Sequence, residues 1–404
     1  MTDSHYDLIV IGAGVVGLAV AREIATRYPR LRLLVLEKED QVARHQSGHN
    51  SGVIHSGIYY KPGSLKARLC VTGARAMVEF CREHGIPHKV CGKVIVATRP
   101  EELPRLEELR KRGEQNGLIG VRQISPEELR EIEPHAGGLA ALFVPSTGIT
   151  DFAQVCRKYV ELITQAGGTV LNAARASAVK RNSNEIVIET PRGAFSAQAV
   201  INCAGLFSDQ ISRMAGDIPE VMIVPFRGEY YRLVPERAAL VRTLIYPVPD
   251  PRFPFLGVHF TRRVSDMVDA GPNAVLALRR EGYKKTDFSL DDVASWMTYS
   301  GFWRMGLHYW RSAIGEYYRS LSKSAFVRDS QRLLPEIREA DLVPEGAGVR
   351  AQAIKPDGTL LDDFYFVPSR NMLHVLNVPS PAATASLMVA KEVVNVAAAN
   401  GLVA

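Results

Sequence analysis

The sequence has no Cys-x-x-Cys pair. Its five cysteines, Cys70, Cys81, Cys91, Cys156 and Cys203, are scattered and odd in number. That leaves no disulfide framework to expect and points to reduced thiols in a cytosolic setting. No run of 18 apolar residues occurs, so no spanning helix is expected. With Asp3 and Asp7 near the start of the chain, no signal peptide is expected, nor an Arg/Ser-rich transit segment ahead of the first apolar run. Internal repeats, low-complexity tracts and blocks of like charge are missing as well. The net charge of +6 and pI of about 9.0 are too mildly basic to argue for nucleic acid. No nucleic-acid partner and no metal is expected. The 404 residues, 46% of them hydrophobic, suit one large or two closely joined domains with a sizeable core.

What is present begins at Leu8. A short apolar run to Ile11 leads into Gly12, Gly14 and Gly17, spaced G-x-G-x-x-G around Val15 and Val16. Apolar periodicity continues to about Tyr28, and a second apolar run, Leu31 to Leu36, ends in Glu37 and Lys38. Strand, glycine turn, helix, strand and acid is the order of a dinucleotide site. Gly12 allows a sharp turn, Gly14 lets the backbone approach a pyrophosphate, and Gly17 lets the helix pack on the strand. The helix N-terminus offers free N–H groups to phosphate, and Glu37 can accept from ribose hydroxyls. An acid there disfavours a 2′-phosphate; NAD and FAD both remain.

Further on, Gln41 to Lys61 reads as a loop with a short strand, its small residues Ser51, Gly52 and Val53 suited to backbone approach to a flat ring. Helices are expected over Leu65–His84, Glu101–Asn116 (charged and exposed), Asp151–Gln165 (capped by Asp151), Phe207–Met214, Ser289–Ser324 and Ala383–Ala399. Strands are expected at Lys89–Thr98, Thr169–Leu171, Ala176–Thr190 and Ala199–Ile201. More are expected between Val221 and Leu278, and at Val343–Ala353 and Met372–Val378. The nucleotide elements are therefore split, at 1–85, 150–215 and 343–404. Insertions at 86–149 and 216–342 form a second domain. This is an α/β chain with a Rossmann-like domain interleaved with an α+β, mostly antiparallel substrate domain. An interleaved chain suits a flavoprotein better than a simple NAD dehydrogenase.

Several segments carry a resemblance: SGVIHSGIYY (Ser51–Tyr60), GVHFT (Gly257–Thr261), GPNA (Gly271–Ala274), GVRAQ (Gly348–Gln352) and NVPSPAATASL (Asn377–Leu387). Essentially end to end, the chain resembles the D-amino-acid-oxidase-like superfamily of FAD oxidoreductases. Within it, the chain is similar to the L-2-hydroxyglutarate oxidase/dehydrogenase family. The resemblance implies FAD as cofactor and oxidation of L-2-hydroxyglutarate to 2-oxoglutarate, with electrons passed to quinone or oxygen. An oxidase of the same fold acting on an amino acid or glycerol phosphate is the first alternative. A non-catalytic, flavin-containing membrane-docking protein is the second.

Oxidising a secondary alcohol with flavin needs a base, cationic donors for the substrate carboxylate, and dipoles at the flavin pyrimidine edge. His55, after the small-residue segment, and His259, between Val258 and Phe260, are the two candidate bases. Arg350 is the candidate carboxylate fork, as the resemblance implies for its G-x-R. Tyr60, Lys61, Arg262 and Lys355 are candidates for the second carboxylate. Pro379, Ser380, Pro381, Ala382 and Ala383, opening the last helix, form a second cofactor clamp. Val179, Ala204 and Gly205 are expected along the ADP portion, with Cys203 a small core residue. Trp296, Trp303 and Trp310 recur every seven residues beside Arg304, Arg311, Arg319, Lys323 and Arg328. Leu307, Ile314 and Leu321 join that face. Such a stripe suits a membrane interface, and a cytoplasmic protein peripheral on the inner membrane is the corresponding expectation.

Overall fold

The computed structural model describes residues 4–183, 185–250 and 257–403. Asp3, and residues 251–256 within the expected run of strands from Val221 to Leu278, lie outside the described residues. The Leu8–Ile11 run is the buried end of a strand, His5–Ile11, paired in parallel with Leu33–Leu36 and Gly193–Asn202. Thr169–Leu171 and Met372–Asn377 extend this parallel core on its two sides. Covered on both faces, these strands read as continuous apolar runs. Antiparallel Ala178–Arg181, Ile186–Thr190 and Tyr365–Ser369 complete an eight-stranded sheet.

The described helices are α1 Val15–Arg27, α2 Leu65–Glu83, α3 Leu103–Gln115, α4 Pro126–Ile132, α5 Phe152–Gln165, α6 Ser208–Met214, α7 Leu290–Met297, α8 Ser300–Leu321, α9 Lys323–Ser330 and α10 Ala382–Ala399. Asp151 caps α5 as expected, its carboxylate accepting from the N–H groups of Ala153 and Gln154. α1 packs on α5 and α10, and α10 on α2, around Leu18, Ile24, Tyr159, Val389 and Val393. α10 has 18 residues of mean hydropathy 1.3, long and apolar enough by composition to cross a membrane. Its Ala385, Val389, Val393 and Ala397 are instead buried against neighbouring helices, which makes it a core helix of this fold.

A second, nine-stranded sheet is almost wholly antiparallel. Its spine is Met222–Leu233, His259–Arg262, Leu244–Pro247, Lys93–Ala97 and Ala140–Val144, with Val268–Gly271 inserted between the first two. Leu342–Ile354, expected with the nucleotide elements, pairs with Met222–Leu233 in this sheet. Its half-buried pattern carries no mark of which sheet it joins; only the partner strand decides that. A buried ion pair joins the two halves. The guanidinium of Arg280, 2% exposed, grips both carboxylate oxygens of Asp209 on α6 at 2.7 and 3.0 Å.

The aromatic segment is not one helix. It breaks at Thr298–Tyr299 and at Ser322, where Ser322 caps α9 through its hydroxyl. Trp296 lies on α7, 1% exposed, packed with Met222, Val224, Met305 and Ile354. The three tryptophans therefore do not share a face. Arg319 pairs with Glu316 and Asp329, and Lys323 donates to the Leu342 carbonyl. Along α8 the exposed stripe is Trp303, Leu307, Trp310, Ile314 and Leu321, with Arg311 over the Trp310 ring.

Candidate active site

The glycine turn is built as the spacing predicts. Gly12 has φ 103°, and a Cβ on it would stand 2.5 Å from the Cys203 carbonyl oxygen. A Cβ on Gly17 would stand 2.0 Å from the Gly12 oxygen, so only glycine lets α1 sit this close to the strand end. Gly14 is the extended N-cap of α1 and supplies no side-chain cap. The Ser47 hydroxyl accepts from the Val15 N–H at 2.8 Å. Val16 packs against the core rather than the cleft. The Glu37 carboxylate accepts from the N–H groups of Ala13 and Glu39 at 2.8 and 3.0 Å. It braces the glycine turn as well as facing the cleft, a role spacing alone did not show.

Gly12, Gly14, Glu37, Lys38, Ala204 and Gly205 line this first cleft. Val179 does not. It is buried with Ile186, Ile188 and Phe195, and the stretch Ala174 to Ala176, just ahead of its strand, reaches the cleft instead. Burial pushes the Cys203 thiol up to about 12, so it is a protonated core group. At the rim Glu39, His45 and Glu281 converge around the Lys38 ammonium, which supplies the cation they share.

Gln46 and Ser47 line both this cleft and a second one of about 520 Å³, so the two are contiguous. Val15, Ser51, Val53 and the stretch Pro379 to Ala383 form the near end of the second. Thr384 stitches the two expected clamps together: its hydroxyl accepts from the His55 N–H at 3.0 Å and donates to the Val53 carbonyl at 3.2 Å. α10, like α1, starts without a side-chain cap. Two uncapped helix N-termini therefore belong to one elongated cavity, which fits an anionic dinucleotide with a flat ring at its far end. Gly52, with φ 71°, serves a tight turn against Thr150 rather than the cavity wall.

Beyond the near end, His55 and Tyr60 from one segment and His259 and Arg350 from two distant ones come together in the second cleft. Burial holds the His55 imidazole down to about 3 and His259 down to about 4, with the charges of Arg350 and Lys93 adding to both effects. Both rings are neutral at pH 7. His259 Nδ1 lies 3.0 Å from the Gly257 carbonyl oxygen. A carbonyl only accepts, so Nδ1 carries the proton and Nε2 presents a lone pair. The ring also stacks on Tyr246, centroids 3.9 Å apart. His55 Nδ1 is buried without a hydrogen-bond partner among the described residues.

Three expected substrate contacts lie elsewhere. Lys61 and Lys355 are exposed outside the cleft. Arg262 faces away from it: its guanidinium donates to the Ala238 and Val241 carbonyls and pairs with Asp266. The reason is strand alternation. His259 looks into the cleft, so Arg262, three residues on, shares the opposite face with Val258 and Phe260.

Other cations take their place. α3, expected as a solvated helix, turns Arg105, Glu108, Leu109 and Arg112 along the cleft. The i, i+3, i+4, i+7 spacing was visible in the sequence, but nothing there showed what the face meets. Arg112 donates to the Tyr59 carbonyl at 3.1 Å and Asn116 to those of Gly57 and Tyr60, which fixes the tyrosine loop. Lys66, 4.9 Å above the Tyr60 ring, pairs with Asp362 at 2.8 Å. The lining thus has four cations, Lys66, Arg105, Arg112 and Arg350, against two carboxylates, Glu108 and Asp362.

A parallel nucleotide sheet, an antiparallel sheet and a cleft shared between them define a flavin-type oxidoreductase. The family model described as FAD dependent oxidoreductase matches residues 7–396, and the chain belongs to that family. It is 50% identical to an L-2-hydroxyglutarate dehydrogenase of Indibacter alkaliphilus, over 95% of this chain and 96% of that one. It is 46% identical to the human mitochondrial L-2-hydroxyglutarate dehydrogenase, over 96% and 89%. Among solved structures, an FAD-bound L-α-glycerophosphate oxidase of Mycoplasma pneumoniae superposes with a TM-score of 0.79 over 97% of this chain and 94% of that one. Its identity is 20%, so this likeness concerns the fold.

Proposed function

We infer that the chain oxidises L-2-hydroxyglutarate to 2-oxoglutarate. The observation that carries this reading is the cationic cleft with two neutral histidines opening onto the nucleotide cleft. The near-full-length relatives name the hydroxy acid. FAD, when bound, supplies the hydride acceptor. Gly12, Gly14, Glu37 and Ser47 hold its nucleotide end, and Ser51, Val53 and the α10 N-terminus its ring. The substrate is a dianion at pH 7, and its one donor is the C2 hydroxyl. His259 Nε2, in its fixed tautomer, can only accept, so it meets that hydroxyl and takes its proton. Arg350 grips the carboxylate beside the reacting carbon, and the cations of α2 and α3 face the distal one. Anaerobic mixing with a panel of 2-hydroxy acids tests the reading. L-2-hydroxyglutarate bleaches the flavin; bleaching by glycerol phosphate or amino acids alone overturns it.

The two sheets support a division in which 4–85, 150–215 and 355–403 carry the cofactor and 86–149 and 216–354 the substrate. The purified protein is expected to be yellow and to release FAD with acid. Gly14→Val places a branched side chain against Ser47 and the pyrophosphate path, and is expected to give mostly apoprotein. Full flavin occupancy in that variant removes Gly14 from the cofactor site.

The α8 stripe supports a docking role at a membrane surface on the cytoplasmic side, with a quinone as acceptor. Binding to anionic vesicles is expected to weaken with salt, since exposed charges are screened within about 10 Å at 0.1 M. Replacing Trp303 and Trp310 with serine is expected to release the protein while L-2-hydroxyglutarate still bleaches the flavin. A variant that aggregates or loses flavin makes the stripe a packing surface and favours oxygen as acceptor.

A further inference from the structure

Lys93 is 1% exposed. It opens the strand Lys93–Ala97, where alternation puts it on the same face as Ile95 and Ala97, toward Ile58, Leu106 and Leu109. Its ammonium lies 4.3 Å from the Tyr59 ring centroid and 4.8 Å from that of Tyr246. Among the described residues no carboxylate pairs with it. A buried lysine without a counter-ion costs several kcal/mol, and such residues are rare without a function. Both rings beside it line the substrate cleft, one layer in front of the ammonium. Its charge also acts on both cleft histidines.

We propose that Lys93 is a recognition residue whose counter-ion is the dianionic substrate: its charge, placed behind Tyr59 and Tyr246, selects hydroxy dicarboxylates over hydroxy monocarboxylates. This rests on the reading of the cleft given above. Burial pushes the free Lys93 ammonium down to about 7. The groups facing it are Tyr59 and His55 from the loop after Ile54, Cys70 and Lys66 from α2, Tyr246, His259 and Arg350. Burial raises the two tyrosines, and Cys70 to about 12, and lowers the histidines to about 3 and 4. Lys66 is held by Asp362. The tyrosines, Cys70 and the histidines are thereby neutral near pH 7, where Lys93 changes charge. A bound dianion favours the ammonium, so binding above pH 7 draws a proton onto Lys93 and KM rises with pH.

The test uses the flavin-loaded enzyme and L-2-hydroxyglutarate, with L-2-hydroxybutyrate as monocarboxylic probe. In Lys93→Met, KM for the dicarboxylate is expected to rise about 10- to 100-fold, with a smaller change in kcat. The monocarboxylate is expected to change little, and the alkaline rise of KM to vanish. Calorimetry on the wild type at pH 8, in buffers of different ionisation enthalpy, is expected to show proton uptake on binding; this reading needs no variant. Equal losses for both acids, or binding without proton uptake, overturn the proposal. Failure of the wild type to bleach with L-2-hydroxyglutarate overturns the substrate reading instead, so the two failures are distinct.

Discussion

Replacing His259 with alanine is expected to slow flavin reduction by L-2-hydroxyglutarate about 10²- to 10⁴-fold, the usual worth of a positioned base. The Gly257 carbonyl fixes its tautomer and the Tyr246 ring its plane, so the lone pair on Nε2 is oriented before substrate arrives. The sign of the pH dependence follows. Burial holds His259 near 4, so it is a competent acceptor at neutral pH and the wild-type rate drops as pH falls through that value. Rapid mixing of His259→Ala is expected to show a slow rate without this acid limb, at unchanged flavin content. His55→Ala, whose Nδ1 has no partner among the described residues, is expected to weaken substrate affinity more than it slows reduction. If His55→Ala shows the large rate loss and His259→Ala does not, the two roles are exchanged.

Arg350→Lys is expected to lose about 30- to 1,000-fold in kcat/KM, or roughly 2–4 kcal/mol of transition-state stabilisation. Lysine keeps the charge but loses the planar fork that grips a carboxylate at two points and fixes the C–H direction. Arg350 stands on the long strand Leu342–Ile354, opposite Phe226, so the backbone that presents it is anchored along its length by Met222–Leu233. The substitution is therefore expected to leave flavin content and melting temperature nearly unchanged. Steady-state kinetics with L-2-hydroxyglutarate provide the check. Near-normal kcat/KM in a fully loaded variant removes Arg350 from the substrate site.

The parts of this protein that were legible in the sequence are those where local chemistry and chain order coincide. The glycine spacing, the apolar runs and Asp151 at a helix start each fix a short stretch of backbone by themselves. His55, His259 and Arg350, which the fold brings to one cleft, could be singled out because each sits in a recognisable segment. Lys61, Arg262 and Lys355 were misread because charge near a motif says nothing about direction; on a strand, one residue more or less reverses the face. Arg105, Arg112, Lys66 and Lys93 went unnoticed for the converse reason: each lies on an element whose own pattern is ordinary, and only its neighbours give it a use. The tryptophan repeat misled because a seven-residue period holds only along one unbroken helix, and the break at Thr298–Tyr299 turns Trp296 into the core.

By itself the sequence determined a nucleotide-binding turn of fixed chirality, because only glycine tolerates the contacts at Gly12 and Gly17. It also determined the order of strands and helices that makes the chain an FAD oxidoreductase. The tertiary structure decided that Leu342–Ile354 joins the antiparallel sheet and that α10 lies in the core instead of crossing a membrane. It also turned a charged helix, α3, into a wall of the second cleft. These outcomes depend on which distant surface each element meets, and pairing between strands over a hundred residues apart leaves no local mark. Lys93 is the clearest case: as a letter it is one basic residue before an apolar run, and its burial between the rings of Tyr59 and Tyr246 is the work of the fold.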